Sequence, residues 1–267
     1  MQSCSSCHSP GFGWGDGLAR GVGHNMNTLG RRSPTIINAA YGQIYMWDGR
    51  FGSLEEQALG PIQSEVEMNV SIDVLIGRLK AVPEYVSLFK AAFAEEGVTE
   101  STIAKAIATY ERTVVSGVSP FDRWIDGDES AISDAAKRGF VVFNNTGACS
   151  ACHSGWNFTD DSFHDIGLHT NDEGRAKIVP GVIKMQRAFK TPSLREIDRR
   201  GPYMHNGSLA SLTAVVEHYN SAGVDRESRS DAILPLGLSD RDKSDLLAFM
   251  HTLTGKPDPV PVPLLPR

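Results

Sequence analysis

Between residues 9 and 148 the sequence reads largely helical, and at 72–81 and 84–95 apolar and charged positions alternate near a 3.6-residue period. Pro83 marks the break between these two segments, since an interior proline removes a helical hydrogen bond. Residues 100–116 (ESTIAKAIATYERTVVS) carry the longest pattern, ended by Gly117 and Pro120. The acidic, turn-rich stretch 119–130 (SPFDRWIDGDES) reads as a domain boundary, and 131–145 as a helix feeding directly into CSACH at 149–153. Near the end, 241–253 (RDKSDLLAFMHTL) is amphipathic, with Ser239 and Asp242 suited to its N-terminus and Gly255 to its stop. The tail 257–266 (PDPVPVPLLP) has too many prolines for helix or central strand and is expected to lie extended. Strand signals are short and few, so the chain is predicted to be mainly α with long loops.

A gapless match at an offset of 158 residues divides the chain: SPTIINAAYGQIYMWDGRFGSLEEQALGP (33–61) lies over TPSLREIDRRGPYMHNGSLASLTAVVEHY (191–219). Pro34 meets Pro192, Tyr45 and Met46 meet Tyr203 and Met204, Gly49 meets Gly207, and Ser53 and Leu54 meet Ser211 and Leu212. Each copy follows a Cys-x-x-Cys-His motif, so an internal duplication is expected, with domains at 1–125 and 126–267, the second carrying the Pro-rich tail.

CSSCH at 4–8 and CSACH at 149–153 consume all four cysteines. Thiols in this arrangement add to haem vinyl groups, and the adjacent His becomes the proximal iron ligand. Cys4, Cys7 and His8 would hold one haem c, and Cys149, Cys152 and His153 a second. A four-cysteine zinc site, two redox pairs and a disulfide framework are the alternatives, and none accounts for a His directly after both pairs. The fold class that follows is mainly α, two tandem cytochrome c-like haem domains with long haem-covering loops.

The formal net charge is −6 before haem propionates are added, which argues against a nucleic-acid partner. No run of about 18 apolar residues suggests a membrane span. Haem c attachment needs thiols outside the reducing cytoplasm, so an exported, periplasmic protein is implied. No signal peptide is read, and the first motif begins three residues after Met1. The chain reads there as processed or trimmed, with a structural segment expected before residue 1.

The repeat separates the two haems. Tyr219 overlies Pro61. A phenolate can bind ferric iron, whereas proline offers no ligand. If this position faces the iron in both halves, the second haem is six-coordinate through His153 and Tyr219 and the first keeps an open face. Gln57 and Glu67 follow Trp47 at +10 and +20. Heterolysis of an O–O bond needs a base that takes a proton from the near oxygen and returns it to the leaving one, and one carboxylate such as Glu67 can do both. Gln57 could orient peroxide by hydrogen bonding. Read alone, Glu67 is better taken as a solvated loop acid, Gln57 as a helix-surface amide and Tyr219 as a partly buried helix residue. Asp48 and Arg50 could pair or brace haem propionates, as could Arg195.

Together these residues carry a close resemblance to the bacterial di-haem cytochrome c peroxidases and their MauG branch. It runs from CSSCH through YMWDGRFGSLEEQALGPIQSEVEMN (45–69), CSACHSGWNFTD, FKTPSLRE and GPYMHNGSLASL to DLLAFMHTLTG. The resemblance implies a peroxidatic N-terminal haem, a C-terminal haem that relays or stores electrons, and Trp47 between them. It implies Gln57 and Glu67 as the distal pair and Pro61 over the open face. It also implies hydrogen peroxide as a substrate, with an electron donor protein or an oxidised protein partner.

Ordinary peroxidases have Met where Tyr219 stands; MauG-like members have Tyr, share high-valent iron between the haems, and oxidise Trp or Tyr side chains of a protein partner. Tyr219 therefore points to the MauG-like branch. His24, 16 residues after His8, has the spacing of the His that caps the peroxidatic iron of ordinary peroxidases. Gly147 stands where MauG has the Trp through which its partner is oxidised. The family pattern places a calcium ion between the domains. Carbonyls of Arg200 and Pro202 are candidate ligands here, but Arg32 replaces the usual Asn. The leading expectation is a peroxide-dependent di-haem oxidoreductase of MauG-like type. An ordinary cytochrome c peroxidase and a non-catalytic di-haem electron carrier are the alternatives.

Overall fold

A computed structural model describes residues 2–256 and 264–266 of the chain. Among the described residues the α-helices, in chain order, are α1 (Cys4–Cys7), α2 (Leu54–Gln63), α3 (Ile72–Lys80), α4 (Pro83–Phe93), α5 (Glu100–Thr113), α6 (Pro120–Ile125), α7 (Asp134–Asn144), α8 (Leu212–Ser221) and α9 (Asp240–His251). The described strands are β1 (Phe163–His164) and β2 (Phe189–Lys190), an antiparallel pair. Most of the proline-rich tail, 257–263, lies outside the described residues.

The helical periodicity translates closely into structure from Leu54 onward. Residues 9–53, expected within a largely helical region, instead form loops with short 3-10 turns, because their Gly-rich segments lack an apolar period. Pro83 opens α4 at its first turn, where its missing N–H is harmless, and so divides α3 from α4. Ser239 caps α9 in a reciprocal capping box with Asp242. The 119–130 stretch differs from expectation. Ser119 and Asp122 form another capping box and start α6 there, and Phe121 and Trp124 of that helix pack with the second half. The expected boundary at 125/126 thus falls at the end of a helix committed to the C-terminal core, and a division before Ser119 suits the packing better. The sequence misled because a short capped helix and a loop share the same Ser, Pro and Asp signals.

The C-terminal core is aromatic. Phe121, Phe143, Phe158 and Phe249 sit with ring centroids 5.1–6.2 Å apart, mostly edge to face. Such pairs add about 0.5–1.5 kcal/mol each beyond area burial. α7 and α9 cross closely enough that a methyl on Gly139 would meet the Asp245 carbonyl and lie 2.8 Å from Phe249 Cβ. This is how α7 delivers the chain to Cys149 at a fixed distance from the core.

The repeat at an offset of 158 residues is visible in the backbone. Met46 and Met204 both have φ of 71°, and Gly49 and Gly207 have φ of 65° and 62°. The isolated bridges Tyr45–Phe51 and Tyr203–Leu209 correspond, as do α2 and α8, which begin at Leu54 and Leu212. Ser53 and Ser211 cap these helices, accepting from Glu56 and Ala214 N–H at 3.2 and 3.1 Å. The halves meet through reciprocal bonds: Arg32 N–H donates to His205 O at 2.8 Å, and its counterpart Lys190 N–H donates to Trp47 O at 2.9 Å.

Gly139→Ala forces α7 away from α9, and overpacking of a tight core costs about 1–3 kcal/mol. Because the new methyl meets backbone, the loss in thermal unfolding should reach the upper end. A variant as stable as the parent would show that the helices are not so closely held.

Candidate functional site: two haem cavities and the wall between them

In the first half, the single turn of α1 presents Cys4 and Cys7 to a cavity of about 590 Å³. His8 Nδ1 lies 3.1 Å from Trp14 O. A carbonyl can only accept, so Nδ1 carries the proton and Nε2 keeps its lone pair free for a metal. Burial also holds the His8 imidazole below its usual pKa, favouring the neutral ligand form. α2 contributes Gln57 and Pro61 to the same cavity, and the turn after it contributes Glu67. Gln57 Nε2 lies 3.6 Å from Met46 Sδ, and Glu67 N–H donates to Ser64 O at 3.0 Å. His24 is not among the cavity-lining residues, although its backbone N–H donates to Val66 O at 3.0 Å.

The second half repeats the arrangement. Cys149, Cys152 and His153 line a cavity of about 170 Å³, and His153 Nδ1 lies 2.9 Å from Phe158 O, again leaving Nε2 free. Tyr219, on α8, lines this cavity at the position that Pro61 holds on α2. Its phenol is pushed well above the usual range by burial, with the neighbouring Cys149 and Cys152 adding to the effect. Its hydroxyl has no hydrogen-bond partner among the described residues. A cationic metal bound to that oxygen would stabilise the phenolate and release the proton.

Five residues line both cavities: Arg32, Trp47, Lys190, Pro192 and Arg200. Trp47 is pinned there by Nε1–H donating to Arg32 O at 2.9 Å, with its ring 6.5 Å from the His205 ring in a T-shaped contact. His205, the repeat counterpart of Trp47, is buried and stacked on Phe189 at 3.6 Å, and burial lowers its pKa to about 4. It is therefore neutral. Sequence reasoning did not single it out, though the repeat alignment with Trp47 could have.

Asp48 and Arg50 line the first cavity, whereas Arg195 lines neither. Asp48 is paired with Arg31 at 2.7 Å and Arg50 at 2.9 Å, which realises the ion-pair alternative. Arg195 pairs with Asp122 at 2.8 Å and lines neither cavity, so a propionate-bracing role for it finds no support. Around the candidate calcium carbonyls of Arg200 and Pro202, the Arg32 guanidinium reaches Gly201 O at 3.4 Å and a second buried guanidinium, Arg200, stands nearby. Two cations beside those carbonyls are a poor donor set for calcium, which takes six to eight oxygen ligands. Cys152, Asp160 and His164 also cluster, but Cys152 belongs to the haem motif.

The two cysteine pairs line separate cavities, which rules out one four-cysteine zinc site. Paired thiols, a histidine with a free Nε2, and a largely apolar cavity wall in each half fit a covalently bound haem. The fold and sites define a protein with two c-type haem centres.

Comparison with known proteins agrees. The family model for di-haem cytochrome c peroxidase matches residues 1–130. The chain is 52% identical over 267 residues to the methylamine utilization protein MauG of Methylorubrum extorquens, covering 99% of this chain and 76% of that one. It is 35% identical over 276 residues to the cytochrome c551 peroxidase of Pseudomonas aeruginosa, covering 99% and 76%. A solved MauG-like protein associated with microbial copper homeostasis superposes with a TM-score of 0.88 at 28% identity, covering 95% of this chain and 83% of that one. The chain belongs to the di-haem cytochrome c peroxidase and MauG family, and is an oxidoreductase of the di-haem peroxidase type with two haems c. Among the described residues, no helix is long and apolar enough to cross a membrane.

One buried acid escaped the sequence reading. Glu111, on α5, lines the first cavity, and its Oε2 is buried with no hydrogen-bond partner. Desolvation pushes its carboxyl up to about 7, against a lowering by Arg112 and with a further rise from Glu55. The native state thus keeps a proton that the unfolded chain releases near the ordinary glutamate value of 4.5. Stability is lost as pH rises from there to about 7. Glu111→Gln should leave unfolding unchanged at the acid end and stabilise by roughly 3 kcal/mol at pH 8. Denaturant unfolding at several pH values checks this, and a difference that does not change with pH would refute it.

Proposed function

We propose that the protein is a peroxide-dependent oxidoreductase of the MauG-like type, in which peroxide reacts in the first cavity and the oxidising equivalents are shared with the second haem centre. The observation that carries this reading is the single difference at one repeat position: Pro61 in the first cavity and Tyr219 in the second. Cys4, Cys7 and His8 would hold one haem in the first cavity and Cys149, Cys152 and His153 a second, and these groups would supply the redox chemistry with peroxide.

The chain's own groups divide the remaining work. Pro61 has no donor atom and leaves the first distal face open. Glu67 takes the proton from the near peroxide oxygen and returns it to the departing one, so that water leaves. Gln57 orients the peroxide through its amide. Trp47, fixed by its bond to the Arg32 carbonyl, places an aromatic ring in the wall common to both cavities and serves as the electron path. Tyr219 would offer an anionic oxygen to a metal held on His153, a donor type that favours higher oxidation states. The equivalents leave towards a donor protein or a Trp or Tyr side chain of a protein partner, in the periplasm where haem c is assembled.

The ordinary peroxidase reading needs a Met-type ligand at residue 219 and His24 over the first iron. Tyr219 stands at that position, and His24 does not line the cavity. A non-catalytic carrier needs both irons filled, which Pro61 opposes.

The test is rapid mixing of the all-ferric holoprotein with stoichiometric hydrogen peroxide, followed by optical and low-temperature EPR spectra. Prompt loss of both ferric signals without prior reduction is expected. A reaction that waits for one added electron would replace this reading with the ordinary peroxidase, and silence in both redox states with the carrier. Glu67→Gln should slow the prompt phase about 10²–10⁴-fold while the ferric spectra stay as in the parent. Tyr219→Phe should change the ferric EPR spectrum of the second haem alone, and an unchanged spectrum would remove Tyr219 as a ligand.

A further inference from the structure

Arg32 and Arg200 are each 8% exposed, and both border both cavities. Neither forms an ion pair with a carboxylate among the described residues. Arg32 Nε is buried with no hydrogen-bond partner at all, and Arg32 Nη2 makes only a long 3.4 Å contact with Gly201 O. The Arg200 guanidinium spends Nη1 on Ser193 O and Arg195 O, at 2.6 and 2.8 Å. The nearby acids are committed elsewhere: Asp16 accepts from Ser33 Oγ at 2.8 Å, and Glu196 pairs with Arg199 at 3.0 Å. Lys190, the repeat counterpart of Arg32, is neutralised by Asp161 at 2.9 Å. Two buried cations left without an anion are costly, so the site is built for negatively charged groups.

We propose that Arg32 and Arg200 form a fixed cationic bracket for haem propionate carboxylates at the junction of the two cavities, and that this bracket takes the place of a calcium ion. Each haem brings two carboxylates, the class of anion that a guanidinium fork binds best. The Arg32 fork stands beside the carbonyls where a divalent ion would need its oxygen ligands. A guanidinium is always charged, so the junction stays cationic at any working pH and needs no free metal. The inference rests on the two haems of the family and not on Tyr219 ligation or peroxide chemistry.

Two measurements on the holoprotein test it, and neither involves peroxide. After dialysis against EGTA, calcium is counted by mass spectrometry and the ferric spectra are recorded. Less than about a tenth of an equivalent with unchanged spectra is expected; one calcium per chain, or spectra that change on chelation and recover with calcium, would overturn the proposal. Potentiometric titration of Arg32→Gln is the second measurement. A lost cation disfavours the reduced iron, so the reduction equilibrium of at least one haem should fall about tenfold, about 59 mV for one electron, with Arg32→Lys keeping part of the difference. Potentials equal to the parent in a variant with intact haem absorbance would likewise overturn it. If Arg32→Gln fails to load haem, the wild-type calcium count and Arg32→Lys still decide.

Discussion

The structure depends on two backbone hydrogen bonds that are each other's image. Arg32 N–H to His205 O and Lys190 N–H to Trp47 O, at 2.8 and 2.9 Å, join equivalent residues of the two repeats in opposite directions. Such an exchange ties the halves along one short seam and sets how their cavities face each other. Three residues of these bonds, Arg32, Trp47 and Lys190, line both cavities. The left-handed Met46 and Met204 turns lead away from the seam into Ser-capped helices, and the first capped turn fixes the rotation of each helix. That rotation carries residues 61 and 219 to equivalent places over their cavities. The glycines of the two turns sit against the opposite half: Gly49 against Phe163 and Arg175, Gly207 against Ala19. A side chain at either would strain a positive φ and push the halves apart together.

With the backbone so nearly repeated, chemical differences between the centres must come from side chains. At the ligand position, proline and tyrosine are about as different as two residues can be: one lacks any donor, the other carries an ionisable oxygen. At the seam, Trp47 faces His205, and burial keeps that histidine neutral. The duplicated frame therefore supplies two similar pockets, and a few substitutions make one open and the other closed. This asymmetry underlies the proposed division between a reacting centre and a storing one.

Much of this was legible in the chain itself. Both haem motifs, the Ser239 cap, the repeat and the pairing of Tyr219 with Pro61 needed only short-range pattern and one alignment offset. What could not be read has a common physical origin. Arg32, Arg200 and His205 are polar residues in loops, and loop polarity normally signals solvent. Their burial comes from the docking of segments about 170 residues apart, which no local pattern encodes. Glu111 occupies a charged slot on a regular amphipathic helix, and only the packing of α5 on α2 turns it inward. α6 failed for the opposite reason: its capping box was present but looked like a turn.

The seam's charge and the second ligand act on the haems in opposite senses. Uncommitted guanidinium groups near both cavities favour the reduced iron of either centre, because reduction lowers the local positive charge. A phenolate on the second iron alone favours its oxidised states. The first effect is common to both centres, so it shifts their mean potential; the second is confined to one, so it sets their difference. Under the proposed function this separation matters. A pair of centres can share oxidising equivalents only when their potentials are close enough for either to hold them, and the seam and the ligand are independent handles on the mean and the gap. A metal ion at the seam would make the mean depend on the metal supply outside the protein. Two arginines on the backbone do not, and the thermodynamic setting of both centres then belongs entirely to the covalent structure of the chain and its haems.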